Sequence, residues 1–144
     1  MNARDFQQLA SELVGGTSPA HFRTAITRAY YATYNVGVEL LEGMGFRISR
    51  GSGGHGEVRM HLNNSGEGDI SRVATQLGDL HGRRIHADYE LGRTDVESQT
   101  TARALVQQAR RMIQALDGCC AEPKRTRIIA AITVWKGKVS AGGP

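Results

Sequence analysis

One stretch, residues 18–43, constrains the fold of this chain more than any other. It reads SPAHFRTAITRAYYATYNVGVELLEG. Ser18 suits the N-cap of a helix, and Pro19 fits the first helical position, where a missing N–H costs nothing. Apolar residues then recur at helical spacing until Gly43 and Gly45, namely Phe22, Ala25, Ile26, Ala29, Ala32, Val36 and Leu40. The pattern predicts a long central helix in an all-α bundle, with Thr33 on the flank of the buried stripe.

The same helix mixes small residues with three tyrosines, Tyr30, Tyr31 and Tyr34. Small residues let a neighbouring helix approach closely, whereas a buried tyrosine needs a hydrogen-bond partner for its hydroxyl. We therefore expect polar side chains from other helices to meet this one. Core packing alone is the simpler interpretation of such a stripe.

The rest of the chain predicts three more main helices, a possible short one and a C-terminal helix. The first is Asn2–Val14, with Phe6, Leu9, Ala10 and Leu13 on one face and Gly15-Gly16 after it. Because only a tight turn joins it to the central helix, the two should pack antiparallel. A short helix can form over Glu57–Leu62. Another long helix, capped by Asp69, buries Ile70, Val73, Ala74, Leu77 and Leu80.

Two further segments close the bundle. Thr94 and Glu97 form a capping box for a helix over Asp95–Asp117, whose stripe is Leu105, Val106, Ala109, Met112, Ile113 and Leu116. Pro123–Trp135 shows helical spacing, with a β-strand as the alternative because of its β-branched residues. We expect a helical domain over residues 1–118 and a basic C-terminal segment over 119–144, with residues 140–144 disordered.

Composition narrows the class of protein. With 144 residues the chain has the size of one domain, and no apolar run approaches the length of a membrane span. The N-terminus lacks a signal-peptide core, so we expect a cytoplasmic protein without a membrane partner. Cys119 and Cys120 are adjacent and too few for a zinc site, so we expect reduced thiols, no metal and no cofactor.

Charge is uneven along the chain. The net charge is +4, and after Cys119 five Lys and Arg residues face only Glu122. Such a basic end is compatible with binding nucleic acid or with a solvated terminus. The glycine-rich stretch 43–54 is also basic; it matches no phosphate-binding fingerprint, and it is either a mobile loop or a loop that carries His55 to a site.

The densest polar cluster ends the helix that Asp69 begins. Arg84 and Asp88 are four residues apart on one face, and Tyr89 lies on the neighbouring face. A surface ion pair with a tyrosine that covers the core would explain this spacing.

Three segments together resemble the HEPN family, most closely its small stand-alone bacterial branch. They are Arg28-Ala29-Tyr30-Tyr31-Ala32, Gly54-His55-Gly56-Glu57-Val58 and Arg84-Ile85-His86-Ala87-Asp88-Tyr89, and the similarity covers roughly residues 5–117. The resemblance implies an up-and-down helical bundle of four main helices plus a short C-terminal helix, which usually dimerises. It also implies a metal-independent ribonuclease of a toxin–antitoxin or antiviral system, often paired with a nucleotidyltransferase-type antitoxin.

The chain departs from the catalytic signature of that family. The signature is an arginine followed, after four to six residues, by a histidine near the end of a long helix. Residues 88–91 after Arg84 contain no histidine, and His86 is only two positions away. Arg50 and His55 have four residues between them, although they fall in the glycine-rich stretch.

Cleavage of RNA without a metal needs a base, an acid and cations at the phosphate. Histidine suits the proton roles near neutral pH, and arginine binds phosphate in a bidentate manner. A two-fold dimer doubles the few groups that one chain supplies. The candidate residues are therefore His55, Arg84, Asp88, Tyr89, His86 and Arg50, with Asp88 orienting Arg84 or His55. A non-catalytic RNA- or nucleotide-binding module and a structural partner subunit of a nucleotidyltransferase remain as alternatives.

Overall fold

The computed structural model describes residues 1–142, and within them it contains six α-helices, two 3-10 helices and no strand. The α-helices are α1 (Arg4–Leu13), α2 (Pro19–Gly43), α3 (Gly53–Asn63), α4 (Gly68–Tyr89), α5 (Gln99–Asp117) and α6 (Lys124–Ala141). The 3-10 helices are Asp95–Glu97 and Gly118–Cys120. The predicted all-α class is confirmed, although α3 is longer than expected and the C-terminal helix is not short.

Helix α2 is the centre of the bundle, as the sequence predicted. It runs from Pro19 to Gly43, the Ser18 hydroxyl accepts the N–H of His21, and the helix contacts α1, α3, α4 and α5. All of the predicted stripe is buried except Leu40, which is partly buried. Thr33 differs from the prediction because it is buried rather than on the flank, and its hydroxyl donates to the Ala29 carbonyl at 3.0 Å. That local bond satisfies the hydroxyl inside the core.

Helix α1 packs antiparallel to α2. Arg4 pairs with Glu39 near the end of α2 at 3.7 Å, and Phe6 meets Tyr31 with ring centroids 6.5 Å apart. Leu9 was predicted on the buried face, but it is 40% exposed. The helix packs mainly against α2 and, to a lesser extent, α5, and Leu9 lies at the edge of this packed face.

The glycine-rich stretch between α2 and α3 differs most from its prediction. Met44, Phe46 and Ile48 are buried in the core, so this segment is packed along its length rather than being a free loop. Helix α3 begins at Gly53 instead of Glu57, which places His55 on a helix. The side chain of Glu57 accepts the backbone N–H of Ser49 at 2.8 Å and fixes the preceding turn.

Two predicted helix caps are wrong. Glu67 is the N-cap residue of α4, while the carboxylate of Asp69 pairs with Lys124 at 2.6 Å. Thr94 and Glu97 do not form a capping box, because Glu97 pairs with the buried Arg23 at 2.8 Å. The segment between them is a 3-10 turn, and α5 starts only after Ser98, whose hydroxyl accepts the N–H of Thr101.

The C-terminal segment forms the helix rather than the strand alternative. Ile128 and Ile132 of α6 are buried in the core, and Trp135 packs edge-on against His61, 5.2 Å between ring centroids. The expected disorder of residues 140–144 is wrong for residues 140 and 141, which lie in α6. Gly142 is the C-cap residue of α6, and residues 143–144 lie outside the described residues.

Cys119 is buried and Cys120 is exposed, and both thiols are free. Burial raises the pKa of Cys119 to about 11, so its thiol is protonated and unreactive at neutral pH. None of the helices formed by residues 1–142 combines the length and apolarity that crossing a bilayer requires.

Candidate functional site

Two helices each contribute a histidine and an arginine to one place on the molecule. Helix α3 supplies His55 and Arg59, four residues apart, and α4 supplies His81 and Arg84, three residues apart. Because these spacings put both side chains of a pair on one helical face, the facing helices bring all four together. We call these four residues the His–Arg cluster.

Tyr30 of α2 forms the floor of the His–Arg cluster. It is 1% exposed, and its ring stacks on His81 with the ring centroids 5.0 Å apart. His55 and His81 stack on each other at 4.9 Å with only 12° between their planes. The Tyr30 hydroxyl is hydrogen-bonded to Nδ1 of His55 at 2.5 Å. Nε2 of His55 has no partner among residues 1–142 and is therefore available to a ligand.

Close approach of α3 to α2 depends on a glycine. A Cβ atom at Gly54 would lie 2.3 Å from the Ser49 carbonyl oxygen and 2.5 Å from the Tyr34 hydroxyl. No side chain fits such a gap, so only glycine allows His55 to reach Tyr30 and Tyr34. The ring of His55 accordingly lies 4.6 Å from that of Tyr34.

Burial and the two arginines keep the histidines neutral. Burial lowers the pKa of His55 below its ordinary 6.5, and the charges of Arg84 and Arg59 lower it further. Burial also lowers the pKa of His81, helped by His55 and by the same arginines. Both imidazoles are thus uncharged at neutral pH and can accept a proton. Burial raises the pKa of Tyr30, so its hydroxyl stays protonated.

Arg84 is held in place by groups of α2 and α4. It donates to the Tyr31 hydroxyl, and its guanidinium carbon lies 5.1 Å from the centre of that ring. Its Nε atom lies 3.3 Å from Oδ2 of Asp88, an ion pair without hydrogen-bond geometry. Asp88 in turn accepts the hydroxyl of Thr27 at 2.6 Å. Asp88 therefore orients Arg84, one of the two roles that the sequence suggested for it.

The structure brings only part of the predicted set together. His55, Arg84 and Asp88 meet at the His–Arg cluster, and the ring of Tyr89 lies 5.9 Å from the Arg84 guanidinium although the residue is 72% exposed. His86 lies apart from them on α4, where it lines a cavity with Leu105 and Gln108 of α5 and has its Nε2 atom 3.5 Å from Glu90.

Arg50 also lies outside the cluster. It is exposed in the turn before α3 and forms no hydrogen bond or ion pair with the described part of the chain. The four-residue gap between Arg50 and His55 therefore does not bring the Arg50 side chain to the His55 ring in this structure.

Sequence reasoning missed His81 and Arg59 as site residues and named Tyr30 only as a buried ring. The i, i+4 spacing of His55 and Arg59 was a usable signal, but it was hidden because the helix was predicted to start after His55. Without a known neighbour for α4, nothing in the sequence distinguished His81 from other helical histidines. The pairing is a property of two helices that meet in space.

A metal site is not evident at this cluster. Within residues 1–142 no three His, Cys, Asp or Glu side chains are arranged to hold a metal ion. The two imidazoles lie almost parallel, and the nearest other charged groups are guanidinium groups, which repel a cation. The arrangement instead suits an anion that accepts hydrogen bonds.

Comparison with known proteins gave no relative for this chain. No family model matches it, and neither curated proteins nor solved structures gave a match. The structure defines an all-α bundle with the His–Arg cluster between three of its helices.

Proposed function

We propose that this chain is a HEPN-like endoribonuclease that cleaves RNA without a metal ion, as part of a toxin–antitoxin or antiviral defence system. The order of its three motif segments supports the family assignment. The observation that carries the chemistry is the pair of stacked, neutral histidines beside two arginines. This set matches the needs of metal-free phosphodiester cleavage, which are two proton-transfer groups and cations at the phosphate.

The proposed reaction uses the 2′-hydroxyl of the RNA as nucleophile. When Nδ1–H of neutral His55 donates to the Tyr30 hydroxyl, the free lone pair of the ring is on Nε2. Nε2 then removes the 2′-hydroxyl proton, and the 2′-oxygen attacks the adjacent phosphorus atom. The bond from phosphorus to the 5′-oxygen breaks, and that oxygen takes a proton from His81. The products are a 2′,3′-cyclic phosphate and a 5′-hydroxyl.

The two histidines need opposite protonation states for this reaction. Both have a lowered pKa in the free protein, but an arriving phosphate is an anion and favours the protonated form of a nearby imidazole. Substrate binding thus supplies the acid. Arg84, kept in position by Tyr31 and Asp88, stabilises the charge on the phosphoryl oxygens.

The proposed active form is a homodimer, and a nucleotidyltransferase-type antitoxin is the proposed regulatory partner. Two large apolar side chains are exposed at this end of α4: Tyr89, whose ring lies 5.9 Å from the Arg84 guanidinium, is 72% exposed, and Leu91, two residues further along the chain, is 78% exposed. A second copy that covers this surface would place two clusters in one cleft. Light scattering should show a dimer, and a monomer at every concentration would contradict the shared cleft.

Purified protein and RNA in excess EDTA test the proposed activity. Wild type should cleave RNA in the chelator, and Arg84→Ala should lower turnover by about 10²–10³-fold because a phosphate contact is lost. His55→Ala should cost a comparable factor as the loss of a base. Arg83→Ala is the matched control, because Arg83 is the neighbouring residue and its ion pair within residues 1–142 is with Asp95. Equal cleavage by all variants would indicate another site or a contaminant.

A binding module without catalysis is the second candidate. It is favoured by the absence of a histidine four to six residues after Arg84. Tight binding of RNA together with no cleavage by wild type would select this candidate over the enzyme.

A further inference from the structure

A groove runs between α3 and α4 and begins at the His–Arg cluster. Its volume is about 610 Å³, which lies within the usual range for sites that hold small molecules. Its lining includes Arg59, Met60, Asn63, Thr75, Gly78 and Asp79. The groove is open to solvent, so a ligand can reach Arg59 without a rearrangement.

Arg59 links the groove to the two histidines. It lines the groove, and its charge acts on both His55 and His81. It makes no hydrogen bond or ion pair with any residue from 1 to 142, and its Nε atom is buried without a partner. A buried Nε–H without an acceptor is unfavourable, and a ligand in the groove can supply the acceptor. Phosphate is the acceptor that best matches the planar donors of arginine.

Gly78 leaves the space that Arg59 occupies. A Cβ atom at Gly78 would lie 3.0 Å from Nη1 and 3.5 Å from Cδ of Arg59. A side chain at position 78 would press on the flexible end of Arg59, and glycine leaves this part of the groove wall free for it.

The walls beyond Arg59 suit a nucleobase. Asn63 carries an amide with both donors and acceptors, and the Asp79 carboxylate has no hydrogen bond or ion pair in the described part of the chain. Met60 is 54% exposed and offers a flexible apolar surface to the face of a ring. Asp79 repels a second phosphate but accepts N–H groups of a base. One end of the groove therefore matches phosphate and the other a heterocycle.

We propose that this groove binds the nucleotide next to the cleavage site of single-stranded RNA. Its phosphate lies on Arg59, and its base lies against Met60 between Asn63 and Asp79. This inference rests on the proposed function in that the ligand is RNA, but it requires binding only. It can therefore stand when cleavage fails.

Binding of an uncleavable RNA tests the groove. The probe is a fluorescein-labelled 2′-O-methyl RNA tetranucleotide, which has no nucleophilic hydroxyl, and the measurement is fluorescence anisotropy at several salt concentrations. Arg59→Gln should weaken binding by about 10–100-fold, as expected for a lost charge-assisted contact. The slope of log affinity against log salt should fall in magnitude by about 0.7, because one phosphate contact to a single strand is lost.

A second variant fills the groove and leaves Arg59 intact. Thr75→Trp places a large ring in the groove from an exposed position and should weaken binding without changing the salt slope. Arg111→Gln is the matched control, because Arg111 is exposed on α5 and makes no ion pair within residues 1–142. Circular dichroism and thermal unfolding should show that every variant remains folded.

The possible outcomes distinguish the groove proposal from the proposed ribonuclease function. If wild type binds the probe and both groove variants bind equally well, the groove proposal is overturned while the proposed function stands. Loss of binding in Arg59→Gln with normal binding in Thr75→Trp also overturns it, since Arg59 would then act only within the His–Arg cluster. No binding by wild type overturns the groove proposal, and cleavage of ordinary RNA in EDTA then decides the proposed function independently. Groove-dependent binding without cleavage of ordinary RNA supports the groove and rejects the nuclease.

Discussion

Two arginines of this protein, the buried Arg23 and the partly buried Arg59, differ in the hydrogen-bond partners that the fold gives them. Arg23 is 8% exposed and donates to both the Glu97 carboxylate and five backbone carbonyls. Arg59 has no acceptor among residues 1–142. The first arginine finds its acceptors within the chain and is structural, whereas the second leaves its donors to solvent or, as we propose, to a ligand. Because the two charges are equal, the difference lies in burial and in the hydrogen-bond partners that the fold supplies.

The surroundings of Arg23 and of Arg59 are connected through α4, which both side chains contact. The carbonyls that Arg23 binds include those of His86, Ala87 and Glu90, at the end of that helix. Carbonyls at a helix C-terminus lack partners within the helix, and a cation there is favourable. Arg23 therefore holds the last turn of α4, and Arg84 and Asp88 project from this part of the helix.

Removal of Arg23 should have the largest effect. Arg23→Ala leaves Glu97 and several carbonyls without their partner, so the free energy of unfolding should fall by about 3–5 kcal/mol. Urea denaturation followed by circular dichroism measures this change. Arg111→Ala, an exposed substitution, should stay within about 0.5 kcal/mol of wild type. A loss below about 1 kcal/mol for Arg23→Ala would show that the satisfied arginine is not structural.

The histidines of α4 give a sharper comparison. His81→Ala removes a member of the stacked pair and should lower RNA cleavage by about 10²-fold with the fold intact. His86→Ala removes a side chain that lies outside the cluster and should leave cleavage near the wild-type rate. Initial rates in EDTA at pH 7 measure both. The reverse result would move the site to the side of α4 that faces α5.

The smallest expected effect is on the pH dependence of stability. Because the pKa values of His55 and His81 are lowered in the folded state, the unfolded chain binds more protons as pH falls below 6.5. The free energy of unfolding should therefore decrease below pH 6.5 and level off once pH is below both folded pKa values. Urea denaturation of wild type and of the double variant His55→Gln/His81→Gln at pH 4–8 measures it. An unchanged profile in the double variant would place the titration elsewhere.

Part of the candidate site could be predicted from sequence, because short segments of the chain carry the pattern for it. His55, Arg84 and Asp88 were identified because each lies in a segment with a recognisable pattern. The start of α3 was not predictable, because Gly53 and Gly54 favour a loop by intrinsic propensity. Contact of Gly54 with Tyr34 and Ser49 overrides that preference.

The Thr94–Glu97 capping box failed for a similar reason. Its sequence is that of a helix start, but Glu97 is used by Arg23, a residue 74 positions earlier. A buried guanidinium with no other carboxylate available competes more strongly for that side chain than a backbone N–H does. Arg23 reaches Glu97 only in the folded chain, so the short sequence pattern could not show that this contact would replace the capping box.

The sequence by itself determined the all-α class, both ends of α2 and most of the buried stripes, because capping and periodicity act over a few residues. Tertiary structure decided which charged side chains have hydrogen-bond partners within the protein and which do not. His81 and Arg59 became site residues only when α3 packed against α4 over Tyr30. Such pairing depends on how helices distant in sequence meet, and no short-range pattern encodes it.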